Sequence, residues 1–326
     1  MEDSFHRNIT YLRVSVTDRC NLRCRYCMPA AGVPLKKHQE ILRLEEIVQV
    51  VRCAVELGFT GVRLTGGEPL VRRDLRVLIS ALADLPGLQD LSLTTNGTLL
   101  AGFAQELKQA GLKRVNISLD TLNRDRFHYL TRGGELDRVW EGIKAALQAG
   151  FQPVKINVVV VAGFNETEIM DFVALAREYP LLVRFIELMP IGESAGQKKC
   201  SFMSVAVVKQ QIAAKYQLVP ETEVTGNGPA RYYRIGDTPG TIGFVGALTE
   251  HFCDRCNRLR LTAEGYLRPC LQRDLEVDIK TPLRQGADPE TLQRLFQEAI
   301  AKKPQRHTMY LADQQHQHRM MSEIGG

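Results

Sequence analysis

Short β-branched runs alternate with amphipathic stretches along much of this 326-residue chain, and six of the runs read as strands, at 11–16, 61–65, 91–94, 114–119, 154–161 and 182–188. Between the first two, Leu44, Ile47, Val48, Val51, Ala54 and Val55 recur at helical spacing, and Gly58 is placed to end that helix. Further helices fit 74–84, 101–110, 135–149 and 166–178. Crossovers of this length predict an α/β fold, a parallel sheet covered by helices as an open doubly wound sheet or a barrel. In either architecture ligands bind at the carboxyl ends of the strands. After residue 188 the alternation stops. Turn-rich Thr225-Gly226-Asn227-Gly228-Pro229 precedes shorter strand candidates near 231–235, 241–247 and 259–262, with a final helix near 289–301. Two regions are therefore expected, 1–188 and 189–326.

The cysteines add chemistry to this pattern. Cys20, Cys24 and Cys27 form CxxxCxxC four residues after the first strand, and the nearest histidines, His6 and His38, lie outside the loop. A structural zinc site closes with four ligands, so three thiolates are one short. On a four-iron cluster the same three would leave one iron free. Cys253, Cys256 and Cys270 repeat the arithmetic near the other end. Cys53 falls on the helix over 44–55 and reads as core, whereas Cys200 follows Lys198-Lys199 in a loop. The start MEDSFHRNIT has no apolar signal region, which points to a reducing cytoplasm rather than disulfides.

Composition narrows the partners. At 44% apolar and 24% charged, the chain reads as an ordinary globular protein. Its longest apolar run, 156–164, is about half a bilayer crossing, so no membrane span is expected. A net charge of +5 is too mild to indicate nucleic acid, and an anionic small molecule fits equally well. Residues able to serve such a ligand recur after successive strands: Arg63 to Pro69 (RLTGGEP), Thr94-Thr95-Asn96-Gly97 and Ser118-Leu119-Asp120. Each alone reads as a turn or a helix start. Together they fall on the rim that carries the first cysteine loop.

CxxxCxxC with Tyr26 before its third cysteine, followed by Gly66-Gly67-Glu68-Pro69 after the next strand, resembles the radical S-adenosylmethionine enzymes. The resemblance implies a partial barrel of six strand-helix units of the (β/α)6 TIM-like type. It also implies a [4Fe-4S] cluster on Cys20, Cys24 and Cys27, whose open iron chelates S-adenosylmethionine. The match extends through Met28-Pro29, Glu187-Leu188-Met189-Pro190, Cys253-Asp254-Arg255-Cys256-Asn257-Arg258-Leu259-Arg260 and Ile324-Gly325-Gly326. These narrow the resemblance to the branch that cyclises GTP in molybdenum cofactor biosynthesis. Resemblance to that branch implies a second [4Fe-4S] cluster, held by Cys253, Cys256 and Cys270 and in contact with the guanine. It implies that Arg13, Arg63, Thr94, Lys155, Arg258, Leu259 and Arg260 contact GTP, while Tyr26, Gly67, Ser118 and Met189 contact S-adenosylmethionine. It further implies that Gly325 and Gly326 enter the pocket and assist catalysis. The implied lyase reaction removes hydrogen from C3' of GTP, joins C3' to C8, and ends with reduction and protonation.

The bottom-up chemistry agrees, because Arg presents a planar set of donors suited to phosphate, and an extended Arg258-Leu259-Arg260 would point both guanidiniums to one face. Arg13, Arg63 and Lys155 are expected near the rim. The resemblance also calls for an electron donor of unspecified identity. It is compatible with hand-off of the product to cyclic pyranopterin monophosphate synthase and with a homodimer. Two other readings stay open. A radical enzyme with an auxiliary cluster acting on a peptide would share the first motif and GGEP, but not Asn-Arg-x-Arg or the Gly-Gly end. A zinc-binding interaction module, closed by His251 or Cys200, would leave the first triad unexplained.

Overall fold

A computed structural model describes residues 1–191, 202–309 and 319–325. Six parallel strands form where the β-branched runs lie: β1 (Tyr11–Ser15), β2 (Gly61–Thr65), β3 (Asp90–Thr95), β4 (Arg114–Ser118), β5 (Val154–Val160) and β6 (Leu181–Glu187). The crossovers carry α1 (Leu44–Glu56), α2 (Leu75–Ala83), α3 (Ala104–Gln109), α4 (Arg124–Thr131), α5 (Leu136–Gln148) and α6 (Ile169–Glu178). Gly58 ends α1 as expected. Its φ is +91°, and the chain turns back so that the Phe59 amide donates to the Ala54 carbonyl. Helix α4 was not anticipated, because it has only a weak apolar stripe, with Phe127, Leu130 and Thr131 buried. The Asn123 side chain caps its start by accepting from the Arg126 amide.

The remaining elements are α7 (Val205–Ala213), β7 (Leu218–Glu221), β8 (Arg231–Ile235), β9 (Thr241–Val245), β10 (Arg258–Leu261), β11 (Tyr266–Arg268), β12 (Val277–Asp278), α8 (Lys280–Arg284) and α9 (Pro289–Ala301). They do not build a second sheet. β9 pairs parallel with β6 and β10 pairs parallel with β1, giving one sheet in the order β12-β11-β10-β1-β2-β3-β4-β5-β6-β9-β8-β7. The break in periodicity near residue 188 thus marks a change of topology, with the later strands flanking both edges of the parallel core. β7, β11 and β12 escaped the periodicity because each has four residues or fewer.

Alternation along each strand separates two environments. Leu12, Val14, Val62, Leu64, Val115, Ile117 and Leu259 belong to the apolar core between sheet and helices. Cys53 of α1 is buried there too, as expected. Phe59 and Phe296 of α9 meet edge to face at 5.8 Å in the same core. The opposite face carries cations: Arg260, Arg13, Arg63, Ser92 and Arg114 occupy one register row across five strands. Among the described residues, no helix is long and apolar enough to cross a membrane.

Candidate functional site

The cation-bearing face encloses a cavity of about 340 Å³, within the usual range of small-ligand pockets. Both cysteine triads line it. The first follows the carboxyl end of β1, whereas Cys253 and Cys256 precede the amino end of β10, which runs parallel to β1. The two triads therefore stand at opposite ends of the strand direction, with the cationic row between them.

Helix α4 backs the first cysteine loop. The Arg23 and Arg25 amides donate to the carbonyls of Thr131 and Leu130, and Arg132 Nη1 donates to the Arg23 and Met28 carbonyls, both at 2.8 Å. Burial raises the Cys20 thiol, holds Cys24 well above the usual range and pushes Cys27 up to about 12. Tyr26 donates to Asp120 Oδ2 at 2.6 Å, and Asp120 Oδ1 accepts from the Val159 amide. Burial lifts that carboxyl to about 6. Asp120 was visible in the sequence only as a turn residue, and the phenol it receives comes from a loop nearly a hundred residues away.

The glycines of the GGEP segment also serve the packing of the chain itself. A Cβ on Gly67 would stand 2.2 Å from the Arg19 carbonyl oxygen, and one on Gly66 would stand 2.5 Å from that of Thr17. The close approach they permit is thus first that of the β1 loop, sealed by Gly67 and Glu68 amides donating to Thr17 and Arg19 carbonyls. Gly67 also lines the cavity. Glu68, 1% exposed, accepts from the Leu70 amide, the Thr95 hydroxyl and the Asn96 amide, tying the ends of β2 and β3 together. Its carboxyl is raised to about 7 by burial. The folded chain therefore holds this proton more tightly than the unfolded chain, and stability falls as pH rises from the ordinary glutamate range through about 7. Glu68→Gln presents an amide nitrogen where an acceptor is needed, an expected loss of about 1–3 kcal/mol in denaturant unfolding. The same variant should flatten that part of the pH profile.

Around the second triad the backbone is held by two buried cations. Arg7 donates to the carbonyls of Cys253, Pro304 and Gln305, and Lys303 Nζ donates to those of Arg258 and Pro269, both at 2.7 Å. Burial alone would raise Cys256, but Arg258 and Lys303 outweigh it and bring the thiol down to about 6. His251, the fourth zinc ligand considered from sequence, packs against His307 with ring centroids 4.9 Å apart. Among the described residues, no group of three His, Cys, Asp or Glu side chains is arranged to hold a single metal ion. Cys200 lies outside the described residues.

Arg13, Arg63, Thr94, Ser118, Met189, Arg258 and Arg260 all line the cavity, and β10 is extended, so its two arginines share a face as expected. Arg13, Arg63 and Lys155 lie within the barrel rather than at its rim, because they occupy strand positions instead of the following loops. Burial, with Arg260 and Arg63 beside it, holds Arg13 well below the usual arginine range. Two further positions are placed away from the cavity surface. Leu259 is fully buried in the apolar core on the other face of β10, so only its backbone can turn toward a ligand. Lys155, 1% exposed, donates to the Thr225 carbonyl at 2.6 Å and is lowered to about 6 by burial, then by Arg184, Arg114 and Arg63. Arg184, which sequence reasoning missed, donates to Asn116 Oδ1 at 2.8 Å and lines the cavity. Its signal was the inward parity of β6, readable once the strand's apolar face is assigned.

The chain end also reaches this region. Arg260 Nη1 donates to the carbonyls of Ile324 and Gly325, both at 3.3 Å, and a Cβ on Gly325 would stand 3.3 Å from Thr65 Oγ1. Gly325 has φ +76°, which favours glycine. Gly326 lies outside the described residues. Residues 310–318 also lie outside them. Arg319 is docked through ion pairs with Glu264 and Glu276, partners too distant in sequence to be anticipated.

These residues fit the implied groups. Each triad offers three free thiols at the cavity wall. Among the described residues, Thr94 Oγ1, Asn157 Oδ1 and Arg13 Nε are buried polar atoms there that meet no hydrogen-bond partner, positions a polar ligand would satisfy.

Comparison with known proteins agrees with this geometry. Residues 14–176 match the Radical SAM superfamily and residues 181–309 match Molybdenum Cofactor Synthesis C. Curated GTP 3',8-cyclases from Moorella thermoacetica and Pelotomaculum thermopropionicum are 54% and 53% identical, each aligned over all of both chains. Among solved structures, Streptococcus suis SuiB bound to precursor peptide SuiA has a TM-score of 0.58 at 15% identity, covering 98% of this chain and 75% of that one. At that identity the likeness is one of fold, the radical S-adenosylmethionine partial barrel. With full-length relatives at this identity, the chain belongs to the GTP 3',8-cyclase family of the radical S-adenosylmethionine superfamily.

Proposed function

We propose that this chain is a GTP 3',8-cyclase that converts GTP to (8S)-3',8-cyclo-7,8-dihydroguanosine 5'-triphosphate, the first step of molybdenum cofactor biosynthesis. One observation carries the reading: two three-cysteine sets face each other across a single cavity whose walls carry Arg13, Arg63, Arg184, Arg258 and Arg260. A redox-active centre at each end and anion-binding donors between them suit a nucleotide held against a radical source. When bound, S-adenosylmethionine and the two [4Fe-4S] clusters supply the radical and electron chemistry, fed by an external one-electron donor.

The protein residues bind and orient. Residues 1–188 supply Cys20, Cys24 and Cys27 for one cluster, with Tyr26, Gly67 and Ser118 beside S-adenosylmethionine, where Met189 from the following region joins them. Residues 189–326 supply Cys253, Cys256 and Cys270 for the other, next to the guanine. Arg13, Arg63, Thr94, Lys155, Arg258, Arg260 and the backbone at Leu259 hold the nucleotide, whose triphosphate neutralises the cationic row. Gly325, held beside Arg260, and Gly326 assist catalysis. The product is suited to transfer to cyclic pyranopterin monophosphate synthase in the cytoplasm. Anaerobic reconstitution with dithionite, S-adenosylmethionine and GTP, followed by product identification, tests the reading. Release of 5'-deoxyadenosine without a cyclised nucleotide would remove GTP as the substrate.

Lys155 provides a second check. With its amine lowered to about 6 it is largely neutral at pH 7.5, and a polyphosphate beside it would restore its charge. GTP binding is therefore expected to take up about one more proton in the unaltered protein than in Lys155→Met, measured calorimetrically in buffers of different ionisation enthalpy.

A further inference from the structure

The turn-rich segment at 225–229, which reads from sequence as a connection, closes the end of the barrel away from the first triad. Thr225 and Gly226 are exposed, whereas Asn227, Gly228 and Pro229 are half-buried and line the cavity. The segment is a thin floor between solvent and the cationic lumen. It is fastened from inside the barrel: Lys155 donates to the Thr225 carbonyl, and Asn227 Nδ2 makes a long 3.5 Å contact with Asp90 Oδ2. Guanidiniums pack against its glycines, closely at Gly226 and at ordinary contact distance at Gly228. A Cβ on Gly226, whose φ is +123°, would stand 2.6 Å from Arg114 Nη1, and one on Gly228 would stand 3.4 Å from Arg184 Nη1.

Several donors at this floor lack acceptors. Arg114 Nη1 and Arg184 Nε belong to side chains 1% and 3% exposed and meet no hydrogen-bond partner among the described residues. Among the described residues, the Asn227 and Gly228 amides also meet no acceptor. Arg184 and Asn227 thus meet at the cavity wall, with Arg114 packed against Gly226 behind them, and the nearby carboxylate, Asp90, is already held by Arg114. Consecutive free amides beside cations form the kind of concavity that binds phosphate oxygens.

We propose that the 226–228 segment, with Asn227 as its side-chain donor, is the seat of the nucleotide's terminal phosphate and selects a triphosphate over shorter chains. The proposal rests on the reading of GTP as substrate. With the guanine near the second triad, the phosphate chain runs along the row from Arg260 and Arg13 toward β4 and β6, and the floor sets where it ends. A diphosphate leaves the seat empty and its donors unsatisfied, a cost the triphosphate avoids.

Equilibrium binding of GTP and GDP to the anaerobically reconstituted holoenzyme tests this. The unaltered protein should bind GTP more tightly than GDP. Asn227→Asp, which places a carboxylate on the floor, should weaken GTP about tenfold or more and GDP far less, shrinking the preference. Asn227→Ala, which adds no charge beside Asp90, should shift the ratio in the same direction by a smaller factor. Unchanged iron content and unfolding midpoint in the alanine variant exclude a folding defect as the cause. Equal weakening of both nucleotides, or no weakening of either, overturns the seat, as does equal binding of GTP and GDP by the unaltered protein. In those cases cyclisation of GTP still supports the function. Failure of the unaltered holoenzyme to bind GTP overturns the function itself and the seat with it.

Discussion

Replacing Cys24 by alanine is expected to abolish formation of 5'-deoxyadenosine while GTP still binds. Cys24 lies on the loop that α4 clamps from behind, so removing its thiol takes away one ligand without disturbing the contacts that Arg132 makes to the Arg23 and Met28 carbonyls. A four-iron cluster left with two protein thiolates is not retained, and iron should fall from about eight to about four per chain. Cys256→Ala should lose the same iron yet spare the first triad, at the other end of the cavity. Iron analysis, nucleotide binding and chromatographic detection of 5'-deoxyadenosine on both variants distinguish the two roles. Equal loss of S-adenosylmethionine cleavage and GTP binding in both variants would contradict the division of labour between the ends.

The second large effect separates two arginines of similar composition and setting. Arg258 stacks over the Phe252 ring at 4.7 Å and lowers the Cys256 thiol, whereas Arg260 donates to the carbonyls of Ile324 and Gly325. Loss of one charge-assisted contact to phosphate costs about 1.5–3 kcal/mol, so either alanine variant should raise KM for GTP by roughly ten- to a hundredfold. Arg260→Ala should in addition lower kcat, because the chain end loses its anchor. Arg258→Ala should leave kcat closer to the unaltered value. Steady-state kinetics with saturating S-adenosylmethionine checks the split, and indistinguishable kcat values would show that the Arg260 contact to the chain end has no catalytic consequence.

How much of this was legible depended on the range over which each signal acts. The six parallel strands and most helices follow from residues a few positions apart: β-branched runs, the stripe from Leu44 to Val55, and the left-handed glycine at 58. The cysteine triads and the parity of Arg258 and Arg260 are similarly local. What sequence concealed was decided by pairing across long separations. Parallel addition of β9 and β10 to opposite edges of the sheet depends on partners some sixty to two hundred and fifty residues away, as the Val183 to Ile242 and Leu12 to Leu259 registers show. Asp120 reads as a turn residue until Tyr26 is placed on it, and Gly67 reads as a turn residue until the Arg19 carbonyl is packed against it. Arg184 and the 225–229 floor were overlooked for the same reason, since their shared lumen exists only once the strands are assembled.

The position of β9 and β10 also bears on how the protein is made. A nascent chain that has reached β6 carries β1 and β6 with bare hydrogen-bonding edges, and both are apolar on the helix-facing side. The β6 edge stays bare until β9 and the β1 edge until β10 has left the ribosome, an interval in which such a template recruits other strands. Truncation after residue 188 is therefore expected to give aggregates instead of a soluble half-protein, and chaperone demand should be greatest before β10 is synthesised.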